Sequence, residues 1–254
     1  MKRTAFIFLC ILTIVSLNAC AQAQIDWVMT HETEHFSIFT TDGDVRSVLP
    51  LSETLEANYE RIIADFQMTT APRFSIYLYP DIDTYHRAIG NPNASPSSVG
   101  TIQGTDVWMV SPLNSGGALD TQSMLTVGVH EFTHAVINHV NGSYTQNNYQ
   151  IPIWLSEGLA GYESGQMTPE WRERMAKLIA EGKIPSITEL TPDQWEQVKG
   201  LPFSITLVEY LVNRYGFEKL VEIIKSPSNP ELILGVTFPE LDSAWHEYLL
   251  ENYR

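Results

Sequence analysis

The chain has 254 residues, 44% hydrophobic and 18% charged, the balance of a folded domain with a sizeable core and not of a disordered chain. Acidic residues number 30 against 15 basic ones, a formal charge of -15. Nucleic acid and anionic lipid both need a basic face, so neither is expected as a partner, and the acidity reads as a solvated surface.

In chain order, Met1-Lys2-Arg3 precedes the apolar run TAFIFLCILTIVSL and then NACAQAQ. A basic stretch, a hydrophobic stretch and a small-residue zone have the layout of an export signal over residues 1–23. The apolar run is too short to favour a membrane span, and no second long one follows. Two processing routes fit. LNAC, residues 17–20, resembles a bacterial lipobox, which would make 1–19 the signal, place a lipid on Cys20 and give the protein its one route to a membrane. Asn18 is unusual in such a box. Ordinary cleavage after Ala21 or Ala23 fits as well, since ACA and AQA are both small-x-small. Either route implies export, to a bacterial envelope (periplasmic or lipid-anchored) or beyond it as a secreted protein. Cys10 and Cys20 are the only cysteines, so the mature body has none left for a disulfide. Asn93 and Asn141 open glycosylation-type triplets, which carry little weight beside a bacterial-type leader.

Residues 24–254 read as one domain, with an α/β part over 24–119 and a helical part over 120–254. HFSIFTT (35–41) alternates like a strand. A helix follows, with Leu51, Leu55, Tyr59, Ile62 and Ile63 at helical spacing and Pro50 near its start. RFSIYLYP (73–80) is a second strand, DIDTYHRAI a short helix, GNPNASPSSVG (90–100) a loop and VWMVSP (107–112) a short apolar strand. From Asp120 the pattern is helical. Asp120 or Thr121 caps a helix that runs to about Val140 and stops at Asn141-Gly142. IPIWLSEGLAGYESG carries the next helix, with Pro152 in its first turn and Gly165 at its end. TPEWRERMAKLIAEG, FSITLVEYLVNRYG, FEKLVEIIK and FPELDSAWHEYLL complete the helical part.

The chemistry is concentrated in VGVHEFTHAV. His130 and His134 are four residues apart on a helix, so both rings project from one face, one turn apart. Glu131 lies beside them. This is H-E-x-x-H, two zinc ligands and a general base. Leu125, Val129, Phe132, Val136 and Val140 form an apolar stripe, and Val127 and Ile137 flank the histidines. A helix apolar nearly all round is buried, so its ionisable groups need partners. Gly128 marks a close approach of some neighbouring element. An open catalytic zinc site wants a third protein ligand. Ile137 and Val140 occupy the positions where a metzincin has glycine and a third histidine. His139 points away and suits the negative end of the helix dipole. Glu157, embedded among Trp154, Leu155, Leu159 and Ala160, is the third ligand expected, brought back to the histidines by an antiparallel turn through NGSYTQNNYQIP.

HEFTH followed by WLSEGLAGY resembles the gluzincin zinc peptidases, and specifically the bacterial group called peptidase MA-like. LVEYLVNRYGFEKLVEII and DSAWHEYL are similar to that group's helical tail, so the resemblance spans about His35 to Tyr253. It implies an α+β, thermolysin-like zincin with an N-terminal α/β lobe, a helical C-terminal lobe and the active site between them. It implies one Zn2+ on His130, His134 and Glu157, Glu131 as base, and a peptide or protein substrate paired along VWMVSP as the sheet edge. Two departures stand out. Thermolysin-like relatives carry an aspartate one turn after the ligand glutamate, where this chain has Gly161; Glu163 is the candidate substitute. Relatives also have a tyrosine opening the helix before VEYL, where this chain has GLPFS; Tyr162 and Tyr210 are the remaining candidates for an oxyanion donor. A catalytically silent zinc-binding protein is therefore the competing reading. Oligomeric state is not legible.

Overall fold

The computed structural model describes residues 25–41, 45–117, 119–142 and 151–253. The export signal, Cys10 and Cys20, and most of the turn expected between the two site helices fall outside them. The architecture is α+β. Five strands, β1 (Val28–Glu32), β2 (Phe36–Thr40), β3 (Phe74–Tyr79), β4 (Gly100–Gln103) and β5 (Asp106–Val110), form one sheet in the order β1-β2-β3-β5-β4. The central β2-β3-β5 pairs are parallel, and each edge strand is antiparallel to its neighbour.

Period-2 alternation fixes which face is buried. Phe36, Ile38, Phe74, Ile76, Val107 and Met109 point inward, against α1 (Val45–Asp65) and α3 (Thr121–Asn141). Phe132 of α3 anchors that packing, edge-to-face with both Phe36 and Phe74 at 5.0 Å. At Gly128 α1 comes close: a Cβ there would lie 2.5 Å from Leu51 Cδ1, the close approach expected of a glycine inside this helix. On the outer face Tyr77 stacks on Trp108 at 4.0 Å, with Trp27 edge-on to both.

The remaining helices, apart from the short α8, follow the sequence pattern. They are α2 (Ile82–Ala88), α4 (Ile153–Glu163), α5 (Pro169–Ala180), α6 (Gly200–Tyr215), α7 (Phe217–Lys225), α8 (Pro230–Leu234) and α9 (Phe238–Asn252). Asp120 caps α3 by accepting from Ser123 N at 2.7 Å, and Gly142 ends it in the left-handed region at φ 73. α4 packs on α6 at Gly158, where a Cβ would meet Ser204 O at 2.5 Å. α3 thus lies between two layers, with β4 and β5 on one side and α4 on another.

Five differences from the sequence reading matter. Pro50 lies inside α1, which begins at Val45, and Pro152 is the N-cap of α4, just outside its first turn. β1 is an added strand, with its register broken between Met29 and His31. The last residue of the 90–100 loop and the three after it form β4, tied to β5 by a two-residue hairpin at Gly104 (φ 66), the positive φ that such a turn requires. VWMVSP is consequently not the sheet edge. β5 sits between β3 and β4, its backbone hydrogen bonds taken on both sides, and the open edge belongs to β4.

Candidate metal centre

The His130 and His134 rings leave α3 on the face turned to α4, with Nε2 atoms 3.1 Å apart. Glu157 comes from the first half of α4 and meets both. Its Oε2 is 3.4 Å from His130 Nε2 and its Oε1 3.3 Å from His134 Nε2. Among the described residues, these three side chains are the one group of His, Cys, Asp or Glu whose ligand atoms converge closely enough to hold a metal ion. The pairing predicted from the two helices is therefore present. The reason is visible in α4: Gly158 and Gly161 are spent on contact with α6, and Glu157, one residue before Gly158, is left facing α3.

The other nitrogen of each ring is also held. His130 Nδ1 is 3.0 Å from Gln166 Oε1 and His134 Nδ1 is 3.1 Å from Ser156 Oγ. The amide oxygen of Gln166 can only accept, so His130 Nδ1 donates to it; a metal taken on Nε2 would make Nδ1 the protonated nitrogen of both rings. Sequence reasoning named neither partner. Ser156 could have been found, since it precedes Glu157 on the same turn; Gln166 lies beyond the helix end, where no spacing rule reaches.

Glu131 is buried and stands apart from the ligand group, on the side of α3 that faces β4. Its carboxylate fills the space over Gly100, where a Cβ would lie 2.6 Å from Oε1 and 2.7 Å from Cγ. Burial pushes the Glu131 carboxyl up to about 7, with the Glu157 charge adding and His130 opposing. Burial would also raise Glu157, but the charges and hydrogen bonds of His134 and His130 outweigh it and hold that carboxyl well below the usual carboxylate range. Asn138, one turn past His134, donates to Gly104 O at 2.8 Å and so fastens the β4–β5 hairpin to the site helix.

All of this opens on a cleft of about 890 Å³. Its walls are β4 at Gly100, Thr101 and Ile102, the start of α4 at Ile151 to Trp154, and the segment from Ile187 to Pro192. The remaining sequence candidates lie elsewhere. Glu163 does not reach the histidines: it is buried against α1, ion-paired to Arg61, whose Nη2 also donates to Glu163 O at 2.6 Å. Burial pushes the Glu163 carboxyl up to about 7, partly offset by Arg61. Tyr162 sits in the same charge cluster, and Tyr210 packs against Tyr215 and Tyr248. Among the described residues no tyrosine lines the cleft. His139 is in the last turn of α3 and outside the ligand group, as its position implies.

Residues 117–236 match the family model described as the Peptidase MA superfamily. No curated protein matches the chain. The matched span begins just before α3 and ends after α8, so it contains every element that supplies His130, Glu131, His134 and Glu157. Over this segment, which holds both site helices, the chain is similar to the Peptidase MA superfamily.

Proposed function

We propose that the protein is an exported, zinc-dependent peptidase of thermolysin-like arrangement that hydrolyses peptide bonds. The observation that carries the catalytic part is Glu131. A metal site used only for structure needs its ligands; it has no use for a further buried carboxylate beside them, pressed against the backbone of an edge strand. The choice of zinc is supported by the donor set and its spacing. Two imidazoles and a carboxylate suit zinc, and a tetrahedral ion at about 2.0–2.1 Å from each would set its ligand atoms roughly 3.3 Å apart. The observed separations are 3.1, 3.3 and 3.4 Å.

In this reading His130, His134 and Glu157 hold one ion per chain. When bound, zinc supplies Lewis acidity toward water and toward the scissile carbonyl. Glu131 Oε1 takes a proton from the attacking water and returns it to the leaving amine, a transfer for which burial between α3 and β4 holds the carboxylate in one place. β4, not β5, offers the free backbone N–H and C=O groups, and an extended peptide adds to it as a further strand at the cleft. The apolar walls at Ile151, Ile153 and Leu190 are suited to a hydrophobic side chain of the substrate.

The test is cleavage of a mixed peptide pool by the zinc-loaded protein beside its Glu131→Gln variant. Turnover is expected from the first and a loss of at least about 10²-fold in the second, with zinc still bound. Loss of metal together with activity would count against the base assignment. The absence of Tyr162 and Tyr210 from the cleft favours the competing reading, a silent zinc-binding protein; two zinc-loaded proteins that both leave the pool intact would select it. Export, with or without a lipid on Cys20, rests on the leader alone, and the mass of the mature protein reads both the cleavage point and any lipid.

A further inference from the structure

We infer that Gln166 is the positioning residue that fixes the metal-facing state of His130, in place of a carboxylate at position 161. Gln166 has this role only if His130 is a metal ligand, as proposed above.

The end of α4 explains how a residue beyond the helix reaches the site. Gly165 is left-handed at φ 70, its N–H donates to Tyr162 O at 3.2 Å, and Gln166 N–H donates to Gly161 O at 3.0 Å. These paired bonds are a Schellman turn, which folds residue 166 back over the last turn of its own helix. The space it enters is the one that residue 161 leaves empty. A Cβ at Gly161 would lie 2.5 Å from both Cδ1 and Cγ1 of Ile205 on α6, and 3.2 Å from Gln166 Oε1. The packing of α4 on α6 therefore leaves no room for a side chain at position 161, aspartate included, unless Ile205 moves, and the amide oxygen of Gln166 fills the gap from the opposite direction.

That oxygen lies 3.0 Å from His130 Nδ1. With Nε2 given to a metal beside His134 and Glu157, Nδ1 carries the proton, and only the oxygen of the amide can accept it. The bond locks both tautomer and ring plane, the service that a carboxylate gives in many metal sites. A neutral acceptor gives it without a third negative charge in a cleft that already holds Glu131 and Glu157. His134 is served in the same neutral way by Ser156.

The experiment measures zinc affinity by competition with a chromophoric chelator on the whole protein and its Gln166→Leu and Gln166→Glu variants, with the melting temperature of each metal-free form beside it. Gln166→Leu keeps the bulk and removes the acceptor; zinc binding weakens by about 10–100-fold while the metal-free melting temperature holds. Gln166→Glu restores an acceptor at the same reach, and affinity returns to the wild-type value or tightens. Zinc affinity of the leucine variant within about twofold of wild type, well inside the 10–100-fold range, overturns the assignment. If the leucine variant is also destabilised without metal, the glutamate variant decides: recovered affinity supports the role, and continued weak binding overturns it. A wild-type protein that takes up no zinc would instead bring down the metal-centre reading, and this role with it.

Discussion

Gly100 is the residue on which the proposed base depends most directly. Its backbone φ is one that any residue adopts, so an alanine there would strain nothing locally. The new methyl would, however, stand 2.6–2.8 Å from Oε1, Cγ and Cδ of Glu131, closer than carbon atoms tolerate, and the carboxylate would have to move. Gly100→Ala is therefore expected to lower kcat by about 10²-fold, the cost of a misplacement near 1 Å. Zinc affinity should hold, because the ligands face α4. Unchanged turnover in the alanine variant, measured on any peptide that the wild type cleaves, would show that Glu131 does not need its place against β4.

At the scale of elements, the α1–α4 contact carries an ionisable group that works against folding as pH rises. Glu163 is buried with one oxygen paired to Arg61 and the other, Oε1, without a hydrogen-bond partner. Its carboxyl is raised from the ordinary 4.5 to about 7 in the folded protein. The folded state thus binds this proton more tightly than the unfolded one, so the stability it contributes is fully present below about 4.5 and is lost as pH climbs to about 7. Gln in its place cannot ionise. Urea midpoints of the metal-free protein should fall from pH 4.5 to 7.5 relative to those of Glu163→Gln. Parallel curves for the two proteins would mean that Arg61 compensates the carboxylate in full.

The helices were the most legible elements, because capping and period act locally: Asp120, Gly142, Thr168 and the 3.6-residue stripes suffice to place α3 and α5. The strands at the sheet edges were the least legible. β4 holds one apolar residue, Ile102, between two glycines, and its pairing with β5 is a tertiary choice signalled only by the Gly104 hairpin. β1 is hidden by the irregularity at Met29 and His31. The same divide runs through the site. His130, Glu131 and His134 follow from spacing on one helix, and Glu157 from an ionisable group stranded among apolar ones. Gln166 and Gly100 matter through contacts between elements that are distant in sequence, which no single-segment pattern encodes.

Taken as a whole, the molecule places its candidate metal site at the junction of its sheet and helical layers, so an ion held there and the fold should report on each other. Free zinc at about 100 times its dissociation constant would add about 2.7 kcal/mol of stability, provided the unfolded chain does not compete for it. For a chain of this size that is roughly 5–10 °C in melting temperature. The rise should vanish with a chelator and with Glu157→Ala. A melting temperature indifferent to zinc would count against a resident ion in this position.

The two borders of the sheet are built differently. At β1 the slip between Met29 and His31 interrupts the ladder, and a foreign strand finds no continuous row of partners there. At β4 the ladder is regular, matched residue for residue with β5, and its open side is a wall of the cleft. A further strand would therefore pair more readily at β4 than at β1, and β4 lies beside Glu131. Two molecules that joined by strand exchange at this border would each block the other's site. Self-association of that kind would be a form of inhibition, relieved by dilution and by any peptide extended enough to take the vacant rung.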